Sequence, residues 1–451
     1  MKILFFLLIP LITFSQVNFP TAPQSTQFQN YGKPNFGIPT NRGINIENII
    51  PDPMRNYNQQ QQNQNDQLMR EVEQYEKQKI AASRQLKKEI QEFNSENDGI
   101  DYNLPNLENR KGTEFYRNTF DKMLTLNVEN FSVKEVNFDI ENAYFENTQN
   151  KEEFNKIIKQ TGEFLIAKMK ELNYDTNSNS AKNYMLFQYF SETLQLKGFK
   201  EKHFPITYDF EDYRGEKDWS KMFVTKLLRT TKGQCHSMPL LYLTLAEEIG
   251  AEAFLSICPN HSYIKFQDED SKWYNVELTN GMFTASSFIL NSGYIKAEAM
   301  QNNIYMQNFS KKELLSQLYT DLAMGYIHKF GYDQFVEKTI KKALDLYPNN
   351  INANMVIANY DIAHLEFVAK KLNFNPRNKQ ELQEIKKYPQ AMQLLEETNN
   401  QYQKIDDLGF QQMPADAYEK WLGSLKQTKN KQDDETFKKQ FKGIIIKKTK
   451  N

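Results

Sequence analysis

The chain has 451 residues, room for two or three domains. Its 56 Lys and Arg nearly balance 57 Asp and Glu, giving a formal charge of −1, so nothing global points to nucleic acid or a charged membrane surface. It has two cysteines, Cys235 and Cys258, which excludes a disulfide-stapled scaffold.

From the N-terminus, residues 1–15 read as a signal peptide. Lys2 gives a positive start, residues 3–14 form an apolar run too short to cross a bilayer, and Ser15 is a small residue suited to cleavage before Gln16. An uncleaved anchor is the other reading. No cysteine follows the run to carry a lipid, and no later run is long enough to span. The mature chain is therefore expected to be exported, periplasmic or secreted, without a transmembrane span.

Residues 16–66 lack periodicity and end in a Gln/Asn tract, the composition of a disordered linker unless the segment docks on the domain behind it. In residues 67–98, Leu68, Val72, Tyr75, Ala82, Leu86, Ile90 and Phe93 recur at three- and four-residue spacing and predict an amphipathic helix. Residues 101–200 read as mostly helical, with helices predicted over 152–172 and 182–196. Residues 201–305 bring short β-rich runs and aromatic residues, and 311–425 return to helices. A charged tail, 426–451, closes the chain.

The chemistry-bearing residues cluster in the middle. Both cysteines and two of the five histidines, His236 and His261, fall between 235 and 261. Gly233-Gln234-Cys235 precedes a run that is apolar on most faces. Pro239 is tolerable only in a first turn, and Gly250 is suited to a helix stop. Cys235 is thus expected at the start of a buried helix, where unpaired N–H groups and the helix dipole favour a thiolate. Gly233 would let a substrate backbone approach, and the Cys235 N–H would help hold an oxyanion.

Three extended runs follow, near 251–257, 261–266 and 272–278. If the three-residue loop Asp268-Glu269-Asp270 closes a hairpin, Gln267 faces Ser271, Lys265 faces Trp273, Tyr263 faces Asn275 and His261 faces Glu277. Asp270 would then take the left-handed position. That register brings an imidazole and a carboxylate to one face and supplies a triad: Cys235 as nucleophile, His261 as base and Glu277 as orienting acid.

Gly233-Gln234-Cys235-His236, Asn260-His261-Ser262-Tyr263 and Trp273-Tyr274-Asn275-Val276-Glu277-Leu278-Thr279, in that order, resemble the core of the transglutaminase-like superfamily. The resemblance implies an α+β, papain-like fold, with Cys at a helix start, His on a strand and an acid on the next strand. Glu277 stands where that family usually has Asp. The resemblance also suggests that aromatic residues such as Trp219 and Trp273 line a substrate site with Gly233 and Gln234. Residues 314–329, 332–346 and 352–372, with Ala343 and Pro348 five apart, resemble tetratricopeptide helices, which some bacterial transglutaminase-like proteins carry after the core. One repeat is clear, and stacked repeats need at least about 3 units to stand alone, so these helices are expected to lean on the core.

The expected reaction is acyl transfer or hydrolysis at a peptide or Gln side-chain amide, through a thioester, without cofactor or metal. The partner is then a peptide or protein substrate, with a protein partner on the C-terminal helices as a further expectation. Three other readings remain open. Cys235, His236, Cys258 and His261 have the ligand types for zinc, although neighbouring residues at a helix start diverge by about 100°. Cys235 and Cys258 could form a disulfide that silences the nucleophile. An inactive core with repeat-like helices would make a peptide-binding module.

Overall fold

A computed structural model describes residues 100–427 except 291 and 379, together with positions 70, 74, 77, 81, 84, 85 and 88, which are helical. The stretches expected to form a signal peptide and a Gln/Asn-rich linker, all but the first two residues of the expected charged tail, and nearly all of the expected 67–98 helix lie outside the described residues. Two compact units divide the chain. One comprises Asp101–Leu372 with Gln390–Asn451, and the other Met1–Ile100 with Asn373–Pro389. In the second, a 3-10 turn over Glu381–Lys387 follows Asn375, whose N–H bonds the Glu381 carboxylate at 2.8 Å.

The first unit is α+β. Four helices open it: α1 (Thr113–Leu124), α2 (Val133–Tyr144), α3 (Lys151–Glu171) and α4 (Asn179–Ser191). Ser132, Asn150 and Ser178 cap the last three, each side chain accepting the N–H three residues on. The Ser178 cap starts α4 three residues before the apolar periodicity suggests. Glu192 is extended and ends it early, and Leu194 then pairs with His203 in an isolated bridge.

A two-stranded parallel pair, β1 (Thr207–Tyr208) with β2 (Lys232–Gly233), encloses α5 (Val224–Thr230). Phe223 offers α5 no side-chain cap; the buried Glu141 of α2 supplies one, accepting N–H from Val224 at 2.7 Å and Thr225 at 2.9 Å. Asn137 donates to the same carboxylate at 2.8 Å. Burial pushes the Glu141 pKa up while these donors pull against it.

Next comes α6 (Ser237–Ile249), buried on nearly every face as its run of apolar residues predicts. Pro239 sits in the first turn and Gly250, at φ +65°, stops the helix. Around α6 pack α2, α3, α4 and α5 on one side and the sheet on the other. That sheet runs β3 (Phe254–Cys258), β4 (His261–Gln267), β5 (Trp273–Glu277) and β6 (Met282–Thr284), antiparallel in sequence order. Two short helices follow, α7 (Ser286–Leu290) and α8 (Ala297–Gln301). Met306 and Phe309 then donate N–H to Ile257 and Leu255, at 2.8 and 2.9 Å, covering the outer edge of β3.

Five helices complete the unit: α9 (Lys311–Phe330), α10 (Gln334–Leu346), α11 (Ile351–Lys371), α12 (Pro389–Asp407) and α13 (Ala415–Gln427). The first three fall where the sequence places them. Ser316 of α9 donates to the Ala343 carbonyl at 2.7 Å and accepts from Asn350 at 2.9 Å, locking α9 to α10 and the turn beyond. α9 also packs on α1 and α2, so these helices share the core of the opening ones. No helix among the described residues is long and apolar enough to cross a membrane.

Candidate active site around Cys235

The hairpin that carries His261 differs instructively from the sequence expectation. The ladder pairs Gln267 with Trp273, Lys265 with Asn275 and Ile264 with Val276. The loop has the expected three residues but sits one position later, at 269–271, closed by the Asp268 N–H to the Lys272 carbonyl at 2.9 Å. Ser271, at φ +64°, takes the left-handed position in place of Asp270. The Asp268 carboxylate fixes this choice. It accepts N–H from Asp270 at 3.0 Å and Lys272 at 2.8 Å, and the Tyr274 hydroxyl at 2.9 Å.

Moving the loop by one residue shifts the register by two, and a two-residue shift keeps every side chain on its face. Tyr263, not His261, therefore stands opposite Glu277. His261 and Glu277 become diagonal neighbours on the same face, and their side chains meet: His261 Nε2 lies 2.8 Å from Glu277 Oε2. Glu277 also accepts the Thr279 N–H at 2.9 Å. Both side chains are buried, at 1% and 3% exposure.

Cys235 closes the line. Its thiol lies near enough to His261 for each group to shift the pKa of the other. Because Nε2 is committed to Glu277, the remaining ring nitrogen, Nδ1, is the one available to the sulfur. Burial raises the Cys235 pKa, but His261, with Tyr418 and Tyr208, outweighs it and holds the thiol below its ordinary value. Burial works against the charged imidazole too, yet Glu277 and the thiol prevail and lift the His261 pKa to about 10. Glu277 is held low against burial by His261 and the Thr279 N–H. The three groups favour a thiolate–imidazolium–carboxylate arrangement.

Cys235 lies two residues before the first residue of α6, and the imidazole and two phenols lower its pKa against burial. What fixes the nucleophile is local bonding. Ser262, next to His261, donates its hydroxyl to the Cys235 carbonyl. Gly233 accepts the Asp209 N–H at 2.8 Å, tying the segment before Cys235 to β1. Sequence reasoning assigned neither Ser262 nor β1 a part.

Gly233 and Gln234 do not face a substrate path. A Cβ on Gly233 would come within 2.5 Å of Leu227 and Met238, so the glycine serves the packing of α5 on α6. Gln234 is fully buried, and its N–H bonds Ser237 at 2.9 Å. Trp219 is stacked on His328 of α9, ring centroids 4.1 Å apart. Trp273 stands at the opposite end of β5 from Glu277, 40% exposed, against Phe254. The aromatic residues at the site are others. Tyr208 on β1 and Tyr418 on α13 flank the thiol, and Trp421 of α13 meets the His261 ring edge-on at 4.9 Å. Tyr418 and Trp421 lie far away in sequence, and nothing local signals them.

His236 turns the other way, toward Asp321 of α9, with Nε2 3.5 Å from Oδ2. Cys258, directly across the ladder from His261, is buried, and burial pushes its thiol well up. Both cysteines are free. Among the described residues no group of three or more His, Cys, Asp and Glu is placed to hold a metal ion. Cys235 and His236 diverge: the thiol meets Asn260 and Tyr418, and the neighbouring imidazole turns to α9.

No protein family, curated protein or solved structure matches the chain.

Proposed function

We propose that the chain is an exported, transglutaminase-like cysteine enzyme that breaks an amide, in a peptide or a Gln side chain, by way of a thioester. One observation carries the reading: a thiol held below its ordinary pKa stands beside an imidazole that is held above its own and is bonded to a buried carboxylate. Buried charges of this kind are costly to hold, and their concentration at one cysteine supports a chemical rather than a packing role.

The geometry supports the following steps. The Cys235 sulfur attacks the amide carbonyl carbon, forming an S–C bond, and the negative charge moves to oxygen. The Cys235 N–H would receive that oxyanion. As the C–N bond breaks, His261 delivers to the departing nitrogen the proton it took from the thiol. Glu277 holds the ring with Nδ1 toward sulfur and balances the imidazolium charge. Water then gives hydrolysis, and an amine gives transfer; the triad serves both. No step calls for a metal or an organic cofactor.

Trapping tests this directly. Incubation with a library of peptides bearing activated amides should leave an acyl group on Cys235, seen by mass spectrometry, with none on Cys258. No adduct with any acyl donor, together with saturable peptide binding that survives Cys235→Ala unchanged, would instead identify a binding module. The covered thiol is the observation that keeps this second reading in view.

A further inference from the structure

The acyl-transfer reading leaves one arrangement unexplained. Two residues of α13, roughly 180 residues downstream of Cys235, stand against the reacting groups. The Tyr418 hydroxyl lies 3.8 Å from Cys235 Sγ. A carbonyl carbon must come within about 3–3.5 Å of the sulfur to react, and a phenol at that place crowds the approach to the half-buried thiol. Trp421 lies edge-on to His261, so the indole blocks the base as the phenol blocks the nucleophile. Asn260, whose carbonyl is 3.9 Å from the same sulfur, donates its side-chain amide to the Met413 carbonyl at 3.4 Å. Tyr213 packs on Tyr418 at 5.5 Å between centroids and donates its hydroxyl to Glu419 at 3.0 Å.

We infer that α13 is an autoinhibitory cover: it holds Cys235 and His261 closed to acyl donors and must swing away or be removed before the thiol can react. This rests on the acyl-transfer reading and adds its control.

The way α13 is attached fits a part that moves. Just before it, the chain is pinned. Gly409, at φ +86°, lies so close to α8 that a Cβ would meet the Ala299 nitrogen at 2.4 Å, and Asn302 donates to the Asp407 carbonyl at 3.0 Å. Past this anchor, Gln412, Pro414, Ala415 and Asp416 are exposed. The helix buries a narrow stripe, Tyr418 and Leu422, while Glu419 and Lys420 face solvent. A helix pinned just before its first turn and, among its described residues, held by one stripe can open at modest cost, as lids do. The frame beneath is different: α6 is buried nearly all round, and His261 and Glu277 sit on β4 and β5, each paired on both sides.

The test is iodoacetamide labelling of the full chain, read at Cys235 by mass spectrometry, with buried Cys258 as the monitor of fold. Tyr418→Ala with Trp421→Ala should label Cys235 about 10-fold or more faster than the unsubstituted chain, with Cys258 still protected. An unchanged Cys235 rate with Cys258 protected overturns the cover. If Cys258 is labelled as well, the double variant has lost its fold and Glu419→Ala decides. This surface change removes only the Tyr213 bond and should raise the Cys235 rate about 3-fold; no rise overturns the cover. Adding His261→Ala to the open variant separates the two proposals. Fast labelling that then collapses supports both; fast labelling that persists supports the cover and sinks the activated thiol.

Discussion

The two walls of the Cys235 cleft are built differently. The inner wall is α6 and the β3–β6 sheet, packed on all sides and cross-bonded from Glu141 to α5, from Gly233 to β1 and from Ser262 to Cys235. The outer wall is a single helix, α13, resting on one stripe. Under the readings proposed above, the inner wall supplies His261 and Glu277, the main source of charge at the reacting groups, while the outer wall governs access and, through Tyr418, also helps hold the thiol low. Substitutions at His261 should therefore act on reactivity, and substitutions on α13 mainly on access.

The largest expected effect falls on reactivity. Without His261, Cys235 keeps its burial and loses the first cause that lowers its pKa. With His261→Ala the thiol should lose its thiolate at pH 6, and alkylation there should fall about 100-fold relative to an otherwise identical chain. A rate that stays the same would break the distinction between the walls.

Stability shows the next effect. Glu277→Gln leaves a buried imidazole without its counter-charge and should cost about 3 kcal/mol in denaturant unfolding. The cost should depend on pH. The His261 pKa, raised from 6.5 to about 10, gives stability fully present below 6.5 and lost as pH rises through 10. The lowered Glu277 pKa gives stability present above 4.5 and lost as pH falls through its depressed value. The difference between parent and variant should therefore be greatest between pH 4.5 and 6.5 and shrink by pH 10. A difference that grows with pH would mean the pair is not charged as described.

Gly233→Ala strikes the frame without touching a reacting group. Its methyl would press on Leu227 and Met238, and the expected cost is about 1–3 kcal/mol, seen as a lower unfolding midpoint. Ser262→Ala removes one bond to the Cys235 carbonyl and should cost about 1 kcal/mol, with a larger proportional loss in acyl-adduct formation if that bond positions the nucleophile. Least of all, Trp273→Ala removes an exposed ring that Lys265 overlies at 5.5 Å and should cost about 0.5 kcal/mol, with no change in Cys235 labelling. A strong effect there would place substrate on the far end of β5.

Much of the inner wall was legible in the sequence because its signals are local. The run of apolar residues between Pro239 and Gly250 gives a buried helix with both ends marked, and the alternating segments after it give the hairpins. The register was misplaced by two because Asp268 looks like a loop residue, whereas its carboxylate closes the turn from inside the ladder. The meeting of His261 with Glu277 survived because it depends on the face of each strand rather than on direct opposition. The outer wall was not legible. Tyr418 and Trp421 sit on an ordinary amphipathic stripe, and only the folded chain returns that stripe to Cys235. Trp219 is instead stacked on His328, and Trp273 meets Phe254 edge-on.

The diagonal contact between His261 and Glu277 also fixes which changes in chain length this site can absorb. Sliding β5 along β4 by two residues leaves the carboxylate on the imidazole's side of the sheet; sliding it by one sends the carboxylate to the other side. Natural variants of this hairpin should therefore differ by even slips or by changes confined to 269–271. A one-residue deletion inside either strand would turn the buried side chains beyond it to the other face and disconnect the histidine from its acid. In this stretch parity, more than residue identity, is what selection would have to guard.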